Sequence, residues 1–182
     1  MSELTVANRY AKSLIDLAEE EKALEAIRKD MELFTHTLRA NFQLQAILAN
    51  PIVAHDKKIK ILEAIFSGKV HKITESFFKI MVNKSRSEVL YATAKEFINQ
   101  YNVIKNITRA YVTSATPLSD ENKKQIIAEL KATTGGDIEL HTKVDDNLIG
   151  GFVLKIGDLQ VDTSLLASLK KLKSDFAHGV NQ

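Results

Sequence analysis

The stretch Ile107-Thr108-Arg109-Ala110-Tyr111-Val112-Thr113 decides how this chain is divided. It is rich in β-branched and aromatic residues, the signature of a strand, whereas the hundred residues before it carry a helical period. Pro117 ends the strand. Ser119 then stands where it can cap a helix whose first turn carries Asp120 and Glu121, and negative charge there suits the helix dipole. Gly135-Gly136 closes that helix. Ile138, Leu140, Thr142 and Val144 alternate as a second strand, followed by Phe152, Leu154 and Ile156, then Leu159 and Val161. Between the last two lies Gly157-Asp158, a two-residue hairpin turn in which glycine supplies the positive φ. Ser164 is placed to cap a final helix carrying Leu165, Leu169, Leu172 and Phe176. Strand, helix, strand, hairpin and helix make a small α+β domain over residues 106–182, with about four strands and two helices.

Upstream, prolines are absent except Pro51 and glycines except Gly68. A first helix is expected over residues 5–20. A second, residues 23–39, places Leu24, Ile27, Met31, Phe34 and Leu38 at spacings 3, 4, 3, 4, a one-sided seam against a neighbouring helix. Asn41 can cap a short third helix, residues 42–49, which Asn50-Pro51 stops. A fourth, residues 56–66, buries Ile59, Leu62, Ile65 and Phe66, and Gly68 lies where a left-handed terminating residue belongs. A fifth covers residues 70–83. Ser85-Arg86-Ser87-Glu88 has the spacing of a capping box and would start a sixth helix to Tyr101, with Val89, Leu90, Ala94, Phe97 and Tyr101 inward. Residues 1–105 are therefore expected to form a compact six-helix bundle. The fold class is α+β, bundle first.

Composition excludes several functions. The chain has 182 residues, no cysteine, and a net charge of +2. Without cysteine there is no disulfide framework, thiolate metal site or cysteine nucleophile. Residues 1–105 carry 16 Lys and Arg against 13 Asp and Glu, and residues 106–182 carry 9 against 10, so neither half is a basic nucleic-acid footprint. Lys57, Lys58 and Lys60 are the densest positive spot, read as a solvated helix face. The first residues resemble neither a secretion signal nor a transit peptide. No segment approaches the roughly 20 apolar residues needed to cross a bilayer.

A search for chemistry finds none. No two of His36, His55, His71, His141 and His178 lie within one helical turn of each other, so no local metal pair arises. Gly150-Gly151 lacks the following Lys-Ser/Thr and the strand–loop–helix frame of a phosphate cradle. Asp145-Asp146, beside Asn147 and between two strands, reads as a polar turn. No catalytic, cofactor-binding or metal-binding residue is assigned, and no small-molecule substrate or cofactor is expected. Interaction features are more plentiful. In the first helix Val6, Ala7, Tyr10, Ala11, Leu14, Ile15, Leu17 and Ala18 cover about half the wheel, wider than the ~100° stripe that one buried face needs. Val70, Ile73, Phe77, Phe78, Ile80 and Met81 do the same in the fifth. A six-helix bundle can bury both arcs, or the two helices can also line a groove for a partner helix.

Three motifs carry a resemblance. Val6-Ala7-Asn8-Arg9-Tyr10-Ala11-Lys12-Ser13-Leu14 resembles the start of the delta-subunit family of bacterial F-type ATP synthases, which is related to the mitochondrial oligomycin-sensitivity-conferring protein. Asn83-Lys84-Ser85-Arg86 is similar to the family's turn after its fifth helix. Leu148 through Asp158, with Val161-Asp162-Thr163-Ser164, resembles its C-terminal signature, here the hairpin residues Gly150, Gly151, Gly157, Asp158 and Asp162. The chain departs from the family at Thr163, Leu166 and Ser168. The resemblance implies a non-catalytic stator subunit linking the catalytic head to the b-subunit stalk, so that proton flow is coupled to ATP synthesis. It implies that residues 1–105 hold the N-terminal helix of an alpha subunit, with Tyr10, Ser13, Leu14 and Leu17 on the first helix and Ser76, Phe77 and Ile80 on the fifth. It implies that residues 106–182 hold the C-terminal helices of the b subunits. It places the chain peripherally on the cytoplasmic face of a bacterial inner membrane, with neither membrane insertion nor nucleic acid. A general helical adaptor unrelated to ATP synthase is the alternative, and a nucleic-acid binder using Lys57 to Lys60 and Lys170 to Lys173 is a third reading.

Overall fold

A computed structural model of the chain describes residues 3–157 and 159–163. The chain divides into two compact units, Met1–Asn102 and Val103–Gln182. Among the described residues the helices are α1 (Glu3–Glu20), α2 (Leu24–Ala40), α3 (Phe42–Ala49), α4 (His55–Phe66), α5 (Lys72–Asn83), α6 (Leu90–Ile104) and α7 (Asp120–Thr134), and the strands are β1 (Ile107–Ser114), β2 (Asp137–Val144), β3 (Phe152–Ile156) and β4 (Leu159–Asp162). The mostly helical chain with a small four-stranded sheet is the expected α+β arrangement. The expected final helix, with Leu165, Leu169, Leu172 and Phe176, lies outside the described residues.

In the first unit the expected seam of α2 is buried: Ile27, Met31 and Phe34 are fully enclosed, and Leu38 nearly so. Phe34 meets Phe78 at 4.7 Å and Phe66 at 5.4 Å between ring centroids, and Phe66 meets Phe78 at 5.8 Å. This tilted triad joins α2, α4 and α5, a geometry that brings positive ring edges towards negative faces. α1 contributes Ala7, Ala11 and Ala18, all fully buried. Small side chains let its backbone lie close to its neighbours. Gly68, at φ +72°, follows α4 in the left-handed conformation.

Four local expectations are corrected. Asn41 occupies the position before α3, but its amide donates backwards to the Thr37 carbonyl at 3.1 Å and caps nothing ahead. Ile59 and Ile65 of α4 are only half-buried, while Leu62 and Phe66 are enclosed. Ser85-Arg86-Ser87-Glu88 forms no capping box. Ser85 has φ +56°, and Ser87 opens a 3-10 turn, Ser87–Val89, before α6. Its hydroxyl turns instead to the Leu48 carbonyl at 2.7 Å. Lys58 is not on a solvated face, because it is only 3% exposed. Val89, at the end of that turn, and Leu90, Ala94, Phe97 and Tyr101 of α6 are all buried as the spacing predicts.

In the second unit the strand order is β2-β1-β3-β4. β1 and β2 run parallel with α7 as the crossover, β1 and β3 antiparallel, and β3 and β4 form the hairpin. Ser119 caps α7 by accepting from the Asn122 N–H at 3.2 Å. Gly135, at φ +70°, ends the helix by donating to the Lys131 carbonyl. Register places Ala110 beside Leu140 and Ile156, and Val112 beside Thr142 and Leu154. Ala110 and Val112 are fully enclosed on this apolar face, and Leu130 of α7 is buried. The opposite face is polar. There Arg109 pairs with Glu139 at 3.3 Å, and Tyr111 stacks on His141 at 5.1 Å.

Candidate functional site

α1 and α5 both pack against α2. On α1, Ala7, Ala11, Leu14, Ile15 and Ala18 point into the bundle. Tyr10 is half-buried, Ser13 is exposed, and Leu17 is 42% exposed. The Ser13 hydroxyl donates to the Arg9 carbonyl of its own helix at 3.0 Å, so the position is small and locally satisfied. On α5, Thr74, Phe77, Phe78, Met81 and Val82 are buried. Ser76 is exposed and Ile80 is 52% exposed. The residues named from the sequence thus fall into two sets. Leu14 and Phe77 are held inside the free bundle. Ser13, Leu17, Ser76 and Ile80 face outward, with Tyr10 between the two.

The first turn of α5 is fixed by polar contacts that sequence reasoning missed. Asp30 of α2 is only 7% exposed. Its Oδ2 accepts from the His71 backbone N–H at 2.8 Å and from the Thr74 hydroxyl at 2.7 Å. His71 Nδ1 accepts from the Ile73 N–H at 3.3 Å, and the Gly68 N–H donates to Glu75 Oε1 at 3.3 Å. The signal was present in the sequence: Asp30 stands on the seam, three residues after Ile27 and beside Met31.

A second buried polar node lies where α3 ends. Lys58 Nζ donates to the Leu48 carbonyl at 3.0 Å and to Ser87 Oγ at 2.8 Å. Leu48 is in the last turn of α3, where carbonyls have no partner within their own helix. A cation there also opposes the negative end of the helix dipole. Burial pushes the Lys58 pKa down, and Glu88 acts in the opposite direction. Between α2 and α6, the Tyr101 hydroxyl donates to Glu25 at 2.6 Å while the Arg28 guanidinium lies 5.1 Å from its ring centre. Burial first, and then the Glu25 hydrogen bond, push the Tyr101 phenol up to about 12.

In the second unit the signature residues surround the hairpin. Gly151 and Gly157 have φ of +78° and +54°. Gly150 is half-buried and Asp162 is exposed, opposite Val153 across the ladder. Asp158 lies outside the described residues. The Thr163 N–H and hydroxyl both reach the Phe152 carbonyl, at 3.0 and 2.9 Å. Asp145 and Asp146 form the expected polar turn, in which Asp145 accepts from the Asn147 backbone N–H at 3.1 Å. That bond holds its carboxyl below the usual range.

No group of three His, Asp or Glu that could hold a metal occurs among the described residues. No described helix is long and apolar enough to cross a membrane. A bundle with exposed apolar positions on helices braced by buried polar nodes can act by holding other proteins, the class of a protein-binding module. The comparisons with known proteins give the particular family. Residues 6–176 match the model for the ATP synthase delta (OSCP) subunit. The chain is 40% identical over 180 residues to the ATP synthase subunit delta of Cytophaga hutchinsonii, covering 99% of this chain and 98% of that one. It is 35% identical over 173 residues to that of Chlorobaculum tepidum, covering 95% and 96%. It is 32% identical over 170 residues to the chloroplastic subunit of Porphyra purpurea, covering 93% and 91%. The fold is similar to a chain in the mitochondrial ATP synthase hexamer of Toxoplasma gondii, with TM-score 0.69 at 23% identity over 94% of this chain and 97% of that one. The chain belongs to the ATP synthase delta (OSCP) subunit family. It is a non-catalytic subunit of the peripheral stalk, associated with the membrane through the complex. The reading as an adaptor unrelated to ATP synthase is thereby set aside.

Proposed function

We propose that the chain joins the catalytic head to the stalk by two separate grips. The first unit holds the N-terminal helix of the alpha subunit between α1 and α5, and the second holds the C-terminal helices of the b subunits near the hairpin of Gly150, Gly151, Gly157, Asp158 and Asp162. Such a link keeps the head from turning with the rotor and couples proton flow to ATP synthesis, on the cytoplasmic face of a bacterial inner membrane. The observation that carries the first grip is the exposure of Leu17 and Ile80, large apolar side chains on two helices that pack on the same α2. An amphipathic partner helix would bury both, and exposed Ser13 and Ser76 would let its backbone come near.

The test separates groove from core. Ser13→Asp and Ile80→Glu place a charge where the free bundle is wet, so the thermal midpoint should move little. Affinity for a synthetic alpha N-terminal peptide should fall about tenfold or more, equivalent to about 1.4 kcal/mol. Binding that survives both changes would put the alpha site on another surface. For the second grip, a fragment of residues 1–105 should keep peptide binding and lose b binding.

A further inference from the structure

We propose that Asp30 is a positioning residue for the alpha-binding groove: buried on α2, it fixes α5 at the height and rotation that present Ser76 and Ile80. This inference rests on the groove reading above. A single carboxylate oxygen accepts both the His71 N–H and the Thr74 hydroxyl, at 2.8 and 2.7 Å. The two donors belong to the residue before α5 and to its first turn, so one atom ties that end to the middle of α2. Among the described residues no cation pairs with Asp30. Its charge is met by these two donors and by the positive end of α5.

Stability alone does not require a carboxylate here. A neutral asparagine would be less costly to bury. Hydrogen bonds to an ionised acceptor, however, are roughly twice as strong as neutral ones. They hold the helix end more stiffly. Stiffness matters because α5 is only 12 residues long. A slip of one residue along its axis shifts it by about 1.5 Å and turns each side chain by about 100°. Ser76 and Ile80 lie four residues apart on one face of α5, so such a slip would turn both together away from the outward position they now hold. The exposed residues of the groove thus depend on a buried one that would touch no partner.

The test uses the full chain with Asp30→Asn and Thr74→Val, each at a temperature well below its own thermal midpoint. Peptide affinity and amide hydrogen exchange are both measured, with Ile80→Glu as the groove control. Each variant should lose protection over residues 73–78, keep it along α1, and bind the alpha peptide about three- to tenfold more weakly. If both variants stay folded and bind within about twofold of the parent, the proposal is overturned and Asp30 is a cap alone. Unchanged protection at residues 73–78 would overturn it equally. Failure of the groove reading looks different: the parent would not bind the peptide, or Ile80→Glu would bind as well as the parent. If Asp30→Asn does not fold, Thr74→Val decides, since it removes one donor and leaves the carboxylate in place.

Discussion

Replacing Lys58 by methionine tests whether a buried cation is needed to hold the end of α3. Three groups share this node: Lys58 Nζ, Ser87 Oγ and the Leu48 carbonyl. Methionine fills similar volume and removes the ammonium. The Leu48 carbonyl would still accept from Ser87 at 2.7 Å, so no buried group is orphaned. The lost charge-assisted bonds and the relieved desolvation oppose each other, as replacements of buried charges by apolar residues commonly show. The expected change is within about 1 kcal/mol of zero. Ser87→Ala acts differently, because it takes an acceptor from an ammonium that stays charged and buried. Hydrogen bonds to charged groups contribute about 1.5–3 kcal/mol, so this variant should be the more costly. The double variant should cost most, since it strips the Leu48 carbonyl of both partners. Urea unfolding at neutral pH measures the series, with a slope of roughly 1–3 kcal/mol per molar. The sign of the pH dependence is also fixed. The folded-state pKa of Lys58 lies below its ordinary 10.5, so the unfolded chain binds more protons in that range. The parent therefore gains stability relative to Lys58→Met as pH rises through the lowered value towards 10.5. A Lys58→Met variant that loses more than about 3 kcal/mol, or a silent Ser87→Ala, would refute this reasoning.

Three further outcomes are expected. Gly136→Ala would place a Cβ 2.3 Å from the Asn106 carbonyl oxygen, which also accepts from the Asp137 N–H. Overpacking of this kind costs about 1–3 kcal/mol, and exchange protection at the start of β1 and β2 should fall. At Gly157 a Cβ meets nothing within 4 Å, so Gly157→Val carries only the backbone strain of its positive φ, about 1–3 kcal/mol. Exchange should rise across β3 and β4 alone. Tyr101 holds its proton more tightly when folded, so its contribution is complete below pH ~10 and lost as pH climbs through 12, at most ~3 kcal/mol. Tyr101→Phe should lack that alkaline step in an unfolding titration.

The legible parts of this fold were those fixed by local chemistry. Ser119, Gly135 and Gly157 act within a few residues of themselves, and each is where a cap or turn demands it. The seam of α2 and the inward face of α6 followed from helical spacing. Distant partners were not legible. Lys58 looked solvated because its acceptor, the Leu48 carbonyl, lies ten residues earlier at the end of a different helix. Ser85 to Glu88 had the right spacing for a capping box, but Ser85 is left-handed and the Ser87 hydroxyl answers the same carbonyl. For the candidate groove, the width of the apolar arcs flagged α1 and α5. Only the fold separates buried Leu14 and Phe77 from exposed Leu17 and Ile80.

The strand order has a consequence for the subunit before it meets its partners. Among the described residues β2 and β4 stand at the two ends of the sheet, so each has one row of backbone groups that pairs with no described strand. Such rows invite another chain to add a strand. β2 carries Asp137, Glu139, His141 and Lys143 at every second position. A flat apolar segment from a nascent neighbour would meet ionic side chains there. β4 is four residues long and bears Asp162 at its end, which leaves a short template. Ionic side chains on one edge and a short strand on the other are the features that oppose pairing of a sheet edge with a second copy.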